Sequence, residues 1–295
     1  MRYAYYPGCS LHSTSREYDI STQAVCQALG IELEEIDNWI CCGASSGHMT
    51  SELMALALPV KNLVLAREMS LDTAVACAAC YSRLKVANKV MRSSGNPRVP
   101  YVDQVVGDGG DTRPYRGETK VKHVLEVVID EYGLDALRAK VTRPLEGLRI
   151  AAYYGCLLVR PPEVTHFDDP EDPTTMERLI SALGAEPVDW PYKTECCGGS
   201  LALTRTNVVV KLCHDILEMA ADEGAECVMV ACPLCQSSLD LRQAQVNRQY
   251  GTDLHMPILY FTQLIGLALG MGNKELGLNK LMVSPDSLFR AKALV

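Results

Sequence analysis

Two stretches of the chain, CCGASS at residues 41–46 and CCGGS at 196–200, place a pair of adjacent cysteines ahead of a glycine. Each pair sits inside a longer pattern. Cys9 is followed after 31 residues by Cys41 and Cys42, after a further 34 by Cys77, and after two more by Cys80. Cys156 is followed after 39 residues by Cys196 and Cys197, then after 34 by Cys232 and after two by Cys235. Ten of the 13 cysteines fall into these two copies, and chance does not replicate a 34-residue gap and a CxxC. Tyr6 and Gly8 ahead of Cys9 match Tyr153 and Gly155 ahead of Cys156, and Gly43 matches Gly198. The chain is written as a duplication.

At 295 residues the chain exceeds the usual size of one domain, about 100–200 residues, so two domains are expected. The stretch 95–119, rich in Gly, Pro and Asp, reads as loop, with GDGGD (107–111) as a turn within it. RIAAYYGC restarts the pattern, which sets expected domains of 1–145 and 146–295. RYAYY (2–6) and LRIAAYY (148–154) are short apolar runs that end at glycine, as strands do, so Cys9 and Cys156 come just after a strand. DTAVAC (72–77) and ECVMVAC (226–232) are apolar runs ending in the first cysteine of each CxxC. Helical spacing precedes each of them, at 51–69 and 203–224. Strands alternating with helices predict an α/β fold, two tandem homologous domains, each a small, mostly parallel sheet with flanking helices. Ligands of such sheets gather at the carboxyl ends of strands, where the cysteines are expected.

The net charge of −8 argues against a nucleic-acid partner, and the N-terminus lacks the apolar run of a secretion signal, so a cytoplasmic protein is expected. One stretch, 254–273, carries no charged residue over a spanning length. It contains His255, Pro257, Thr262 and Gln263 and no flanking Lys/Arg cluster, and reads as a buried helix or a docking face for a partner subunit, not as a membrane span.

Where thiols stay reduced, this many cysteines point to metal or redox chemistry. Cys26, Cys213 and Cys227 lie outside the pattern and read as small apolar core residues. A zinc site wants four closed ligands where each half offers five thiols, and a thioredoxin-like CxxC leaves the adjacent pairs unexplained. Iron–sulfur ligation fits better, since several thiolates hold cluster irons and neighbouring cysteines can address different irons.

On these residues the chain resembles the cysteine-rich CCG-domain family and, in its doubled form, the B subunit of heterodisulfide reductase. That resemblance implies two noncubane [4Fe-4S] clusters. Cys9, Cys41, Cys42, Cys77 and Cys80 would ligate one, and Cys156, Cys196, Cys197, Cys232 and Cys235 the other. It implies reduction of a disulfide, CoM-S-S-CoB or an analogue, to two thiols, with electrons from a small ferredoxin-like partner subunit that is itself fed by a flavin-containing one. No GxGxxG follows a strand here, so no flavin or NAD is expected in this chain. His48, Lys193 and Arg205 are candidates for binding an anionic substrate, and His12, Arg83 and Arg160 also stand near cluster cysteines. Two alternatives stand beside the disulfide reductase: an electron relay, and a sulfur-handling subunit of a related complex that does not act on CoM-S-S-CoB.

Overall fold

The computed structural model describes residues 1–93, 95–107 and 113–294. Strands β1 (Arg2–Tyr6), β2 (Glu32–Glu35), β3 (Thr73–Val75) and β4 (Val121–His123) form a parallel sheet in the order β2-β1-β3-β4. Strands β5 (Arg149–Tyr153), β6 (Glu186–Val188), β7 (Cys227–Val230) and β8 (Ile258–Tyr260) repeat it as β6-β5-β7-β8. The chain is α/β, two like sheets with flanking helices. In β1 and β5 every residue after the leading arginine is buried, the pattern of strands covered by helices on both faces.

The helices match their sequence signals closely. Glu52–Glu68 is capped by Ser51, whose hydroxyl accepts from the Leu53 and Met54 amides. Its counterpart in the second half is Thr206–Asp222. Ala78–Arg92 and Pro233–Leu241 begin directly after Cys77 and Cys232, so each CxxC is the entry to a helix.

The linker folds differently from the sequence reading, and the apolar stretch takes the buried-helix alternative. Within 95–119 stands the helix Val99–Val106, started by Pro100 and burying Val99, Val102 and Val106 along one face, a short periodicity that the surrounding Gly and Pro obscure. Of the GDGGD turn, residues 108–111 lie outside the described residues. The apolar stretch 254–273 divides into β8 and the helix Phe261–Ala268, every residue of which is buried. That helix packs against Arg16–Leu29 of the first half, so the docking-face alternative gives way to an internal seam. At the seam Tyr18 stacks on Tyr260 with ring centroids 3.9 Å apart, and Ser21 Oγ lies 2.7 Å from Thr262 Oγ1. Among the described residues no helix is long and apolar enough to cross a membrane.

His123 closes the same seam. Its Nδ1 accepts from the Leu125 amide, which assigns the proton to Nε2, 3.1 Å from the Ala231 carbonyl. Burial pushes the imidazole down to about 4. The folded chain therefore resists a proton that the unfolded chain accepts near the ordinary value of 6.5. Stability is expected to fall by about 1.4 kcal/mol per pH unit as pH drops from about 6.5 towards 4. Urea unfolding across that range should show this slope in the parent chain and lose it in His123→Gln.

Candidate metal centres

In each half the first strand of the sheet lies between the second and third, which makes the gap between first and third strands the switch point of a doubly wound sheet. The cysteines meet there. Cys9 and Cys77 follow β1 and β3, and Cys156 and Cys232 follow β5 and β7. The adjacent pairs come in from the loops after β2 and β6, completing five thiols per half.

Two tyrosines set these loops. Tyr6 ends β1 and donates its hydroxyl to the Ile40 carbonyl at 2.7 Å, and Tyr153 ends β5 and donates to the Glu195 carbonyl at 2.6 Å. In both cases the acceptor is the residue just before the cysteine pair. Both phenols are buried, which raises their pKa, and Cys80, Cys42, Cys41 and Cys9 around Tyr6 push in the same direction. Around Tyr153 the neighbours are Cys197, Cys235, Cys156 and Cys196. Each tyrosine is thus an anvil against which four thiols of its half gather.

Cys42 Sγ lies 3.1 Å from Cys80 Sγ, and Cys197 Sγ lies 3.5 Å from Cys235 Sγ. All 13 cysteines are free thiols. The Gly43 amide points at Cys41 Sγ and the Gly198 amide at Cys196 Sγ, both at 3.4 Å. Gly43 and Gly198 have φ of +74° and +71°, so the turn that aims these amides at sulfur needs glycine. The two sets also touch. Hydrogen bonding with Cys232 raises the Cys77 thiol, while Cys235 and Cys77 together lower Cys232.

Protons are shared unequally within the sets. Hydrogen bonds from Cys41 and Cys80 hold Cys42 well below the ordinary thiol range, and those partners are pushed up. In the second half a hydrogen bond from Cys156 brings Cys196 down to about 6. Each half thus favours a thiolate, the form that binds metal. Among the described residues no group of three or more His, Cys, Asp or Glu is placed to hold a single metal ion.

Beside the first set, Arg83 is half-buried, its Nε is shielded from solvent without a hydrogen-bond partner, and the Cys42 thiolate acts on it. A buried donor without a partner, within electrostatic reach of a thiolate, suits an anionic sulfur-rich group nearby. Gly8 and Gly155 let the backbone come close to sulfur in the first and second sets respectively. A Cβ on Gly8 would stand 3.0 Å from Cys80 Sγ, and one on Gly155 2.9 Å from Cys235 Sγ.

The cationic candidates separate in space. His48 sits at the first set, its Nδ1 3.5 Å from the Gly43 carbonyl. Arg205 is exposed just ahead of the helix that follows the second pair. Lys193 is 7% exposed and far from free, with Nζ 2.8 Å from Asp172, 3.1 Å from Glu177 and 3.8 Å from Asp189. Burial pulls its ammonium down, but the carboxylates of Asp172 and Glu177 outweigh this and hold it above the ordinary range. Its contribution to stability is present through neutral pH and is lost only as pH rises above about 10.5. Lys193→Met is expected to cost about 1–2 kcal/mol at pH 7, since two carboxylates lose their partner, with the loss vanishing in strong alkali; urea denaturation at the two pH values checks it. His12 lies 3.2 Å from Glu35 and packs edge-on against Trp39, and Arg160 binds Glu171 and the Thr194 carbonyl. The sequence pairs the two tyrosines without giving them their task; the signal is their identical offset from the first cysteine of each copy.

Residues 3–85 and 150–240 each match the CCG cysteine-rich domain. Over 286 residues the chain is 32% identical to the 8-methylmenaquinol:fumarate reductase membrane anchor subunit of Wolinella succinogenes, covering 97% of this chain and 98% of that one. It is 29% identical over 276 residues to the B subunit of the ferredoxin:CoB-CoM heterodisulfide reductase of Methanosarcina mazei, covering 92% and 91% of the two chains. In shape it is similar to a hypothetical protein from Helicobacter pylori solved by crystallography, with a TM-score of 0.75 at 12% identity. That likeness covers 96% of this chain and 52% of the other, so this chain spans about half of it, and it speaks for the fold alone.

Proposed function

Because this chain belongs to the cysteine-rich CCG-domain family, which takes in the B subunit of heterodisulfide reductase, we propose that it is the iron–sulfur subunit of a multisubunit reductase and reduces a disulfide to two thiols. The substrate is CoM-S-S-CoB or an analogue. The observation that carries this reading is the placing of ten free cysteines as two equivalent sets at strand ends and the loops beside them. Cys9, Cys41, Cys42, Cys77 and Cys80 would hold one noncubane [4Fe-4S] cluster, and Cys156, Cys196, Cys197, Cys232 and Cys235 the other. When bound, the clusters supply the two electrons that cleavage of an S–S bond consumes and soft iron sites for both product sulfurs.

The chain's own groups do the rest. The Gly43 and Gly198 amides and Arg83 Nε offer donors to sulfur, which favours added electron density there. Tyr6 and Tyr153 hold the paired cysteines in place and line the sets with ring instead of water. With Lys193 engaged by carboxylates, recognition of substrate anions falls to His48 and Arg205. Electrons enter from a ferredoxin-like partner, itself supplied by a flavin-containing one.

One observation favours a second reading. The Wolinella succinogenes relative, at 32% identity, is named for a menaquinol:fumarate reductase. On that reading the clusters relay electrons between partners and touch no disulfide. Oxidising the anaerobically purified protein with CoM-S-S-CoB in the presence of one of its thiols separates the two. A thiol-dependent EPR signal supports disulfide chemistry; clusters indifferent to every thiol support the relay.

A further inference from the structure

Away from the cysteines, a cavity of ≈ 470 Å³ opens between the two halves of the chain. It lies where the helix Ala78–Arg92 and the edge strand β4 meet the short helix Pro162–Thr165. Lys85, Lys89 and Arg92 line it from the long helix, and Lys120 and Lys122 from the start of β4. Against these five cations stand Glu126 and Glu163, with His166 at the rim, so three positive charges are in excess on a chain of net charge −8.

Two of the cations have carboxylate partners. Lys85 Nζ lies 3.6 Å from Glu126, and Lys122 pairs with Glu131 outside the cavity. Among the described residues Lys89, Arg92 and Lys120 form no ion pair. Lys89 Nζ donates to the Glu163 carbonyl at 2.6 Å, and Arg92 donates Nε and Nη2 to the Gly117 carbonyl at 3.0 and 2.9 Å, which leaves its Nη1 open. Cations in the last turn of a helix complement its dipole, and lysines on an edge strand discourage strand pairing. Each of those reasons accounts for one wall. Neither explains why unpaired cations of both walls face one concavity at the junction of the halves.

We propose that this cavity binds a compact ligand carrying two or more phosphate-type negative charges, and that the ligand clamps the second half onto the first. Its volume falls within the range of small-molecule sites, roughly 300–1,000 Å³. The charge excess suits a diphosphate better than a single carboxylate, and the lysine and arginine donors match phosphate oxygens. Lys85 stands five positions after Cys80 on this helix, about 7.5 Å along it, and the cations without carboxylate partners, Lys89 and Arg92, stand about 14 and 18 Å from it.

The test is calorimetric titration of the anaerobically prepared, iron-loaded full chain with inorganic pyrophosphate at low ionic strength, with cluster absorbance followed as a control against chelation. One saturable site is expected, weakening with added salt and raising the thermal midpoint. Lys89→Ala/Lys120→Ala should bind about tenfold more weakly or worse, and Lys120→Arg should bind as the parent does. Heat that never saturates, or binding unchanged in the double variant, overturns the proposal. So does binding of poly-glutamate, sensitive to the same substitutions, without binding of pyrophosphate; that outcome makes the cavity a seat for an acidic partner.

Discussion

Cys197→Ala is expected to give a folded chain carrying about half the parent's iron and acid-labile sulfide, with disulfide reduction lowered on the order of 100-fold or more. Cys197 is 4% exposed and its Sγ lies 3.5 Å from Cys235, while the neighbouring Cys213 thiol, outside the set, donates to the Ser238 carbonyl at 3.2 Å. Removing a small buried side chain costs the fold little, whereas removing a thiolate from a five-sulfur set opens an iron to water. The first set keeps all its own thiols, which is why half the metal stays. Cys26→Ala and Cys227→Ala supply the control, since both residues are buried outside the two sets and should lose no iron. If Cys197→Ala keeps its full iron content, the assignment of that residue is wrong.

Gly155→Ala makes a comparable case through geometry. Gly155 has φ +62°, where an L residue is strained by about 1–3 kcal/mol, and a Cβ there would stand 2.9 Å from Cys235 Sγ. The thiol must shift, so the variant should lose that stability and about half of the iron together. Gly8→Ala, φ +75° with Cys80 Sγ at 3.0 Å, should do the same to the first set. Gly251→Ala separates the two causes. At Gly251 φ is +72° but no atom lies within 4 Å of the added Cβ, so the strain is present and the sulfur is undisturbed. It should lower the unfolding midpoint and keep the iron. A Gly155→Ala chain with full iron would mean that Cys235 has room to move and that the glycine serves the turn alone.

Much of this arrangement can be read from the residues because cysteine spacing and strand patterning are local signals. RYAYY and ECVMV are short apolar runs, rich in aromatic or β-branched residues and bounded by turn residues or a CxxC, as buried strands are, and Cys9 and Cys232 come within three residues of their ends. What joins the halves is less legible. The Tyr18–Tyr260 stack and the His123–Ala231 bond span long sequence separations and belong to no periodic pattern. The same holds for Lys193, a plausible anion binder by position. The carboxylates that occupy it come from Asp172 and Glu177, on a segment whose folding back cannot be inferred from spacing. The cationic cavity is invisible for the same reason, since its lysines are ordinary in sequence and acquire meaning only when two elements face each other.

The most direct test of two clusters in one chain is metal and acid-labile sulfide analysis of the anaerobically purified protein. About eight irons with matching sulfide per chain, and negligible zinc, is the expected result. One or two zinc ions with little iron would contradict it.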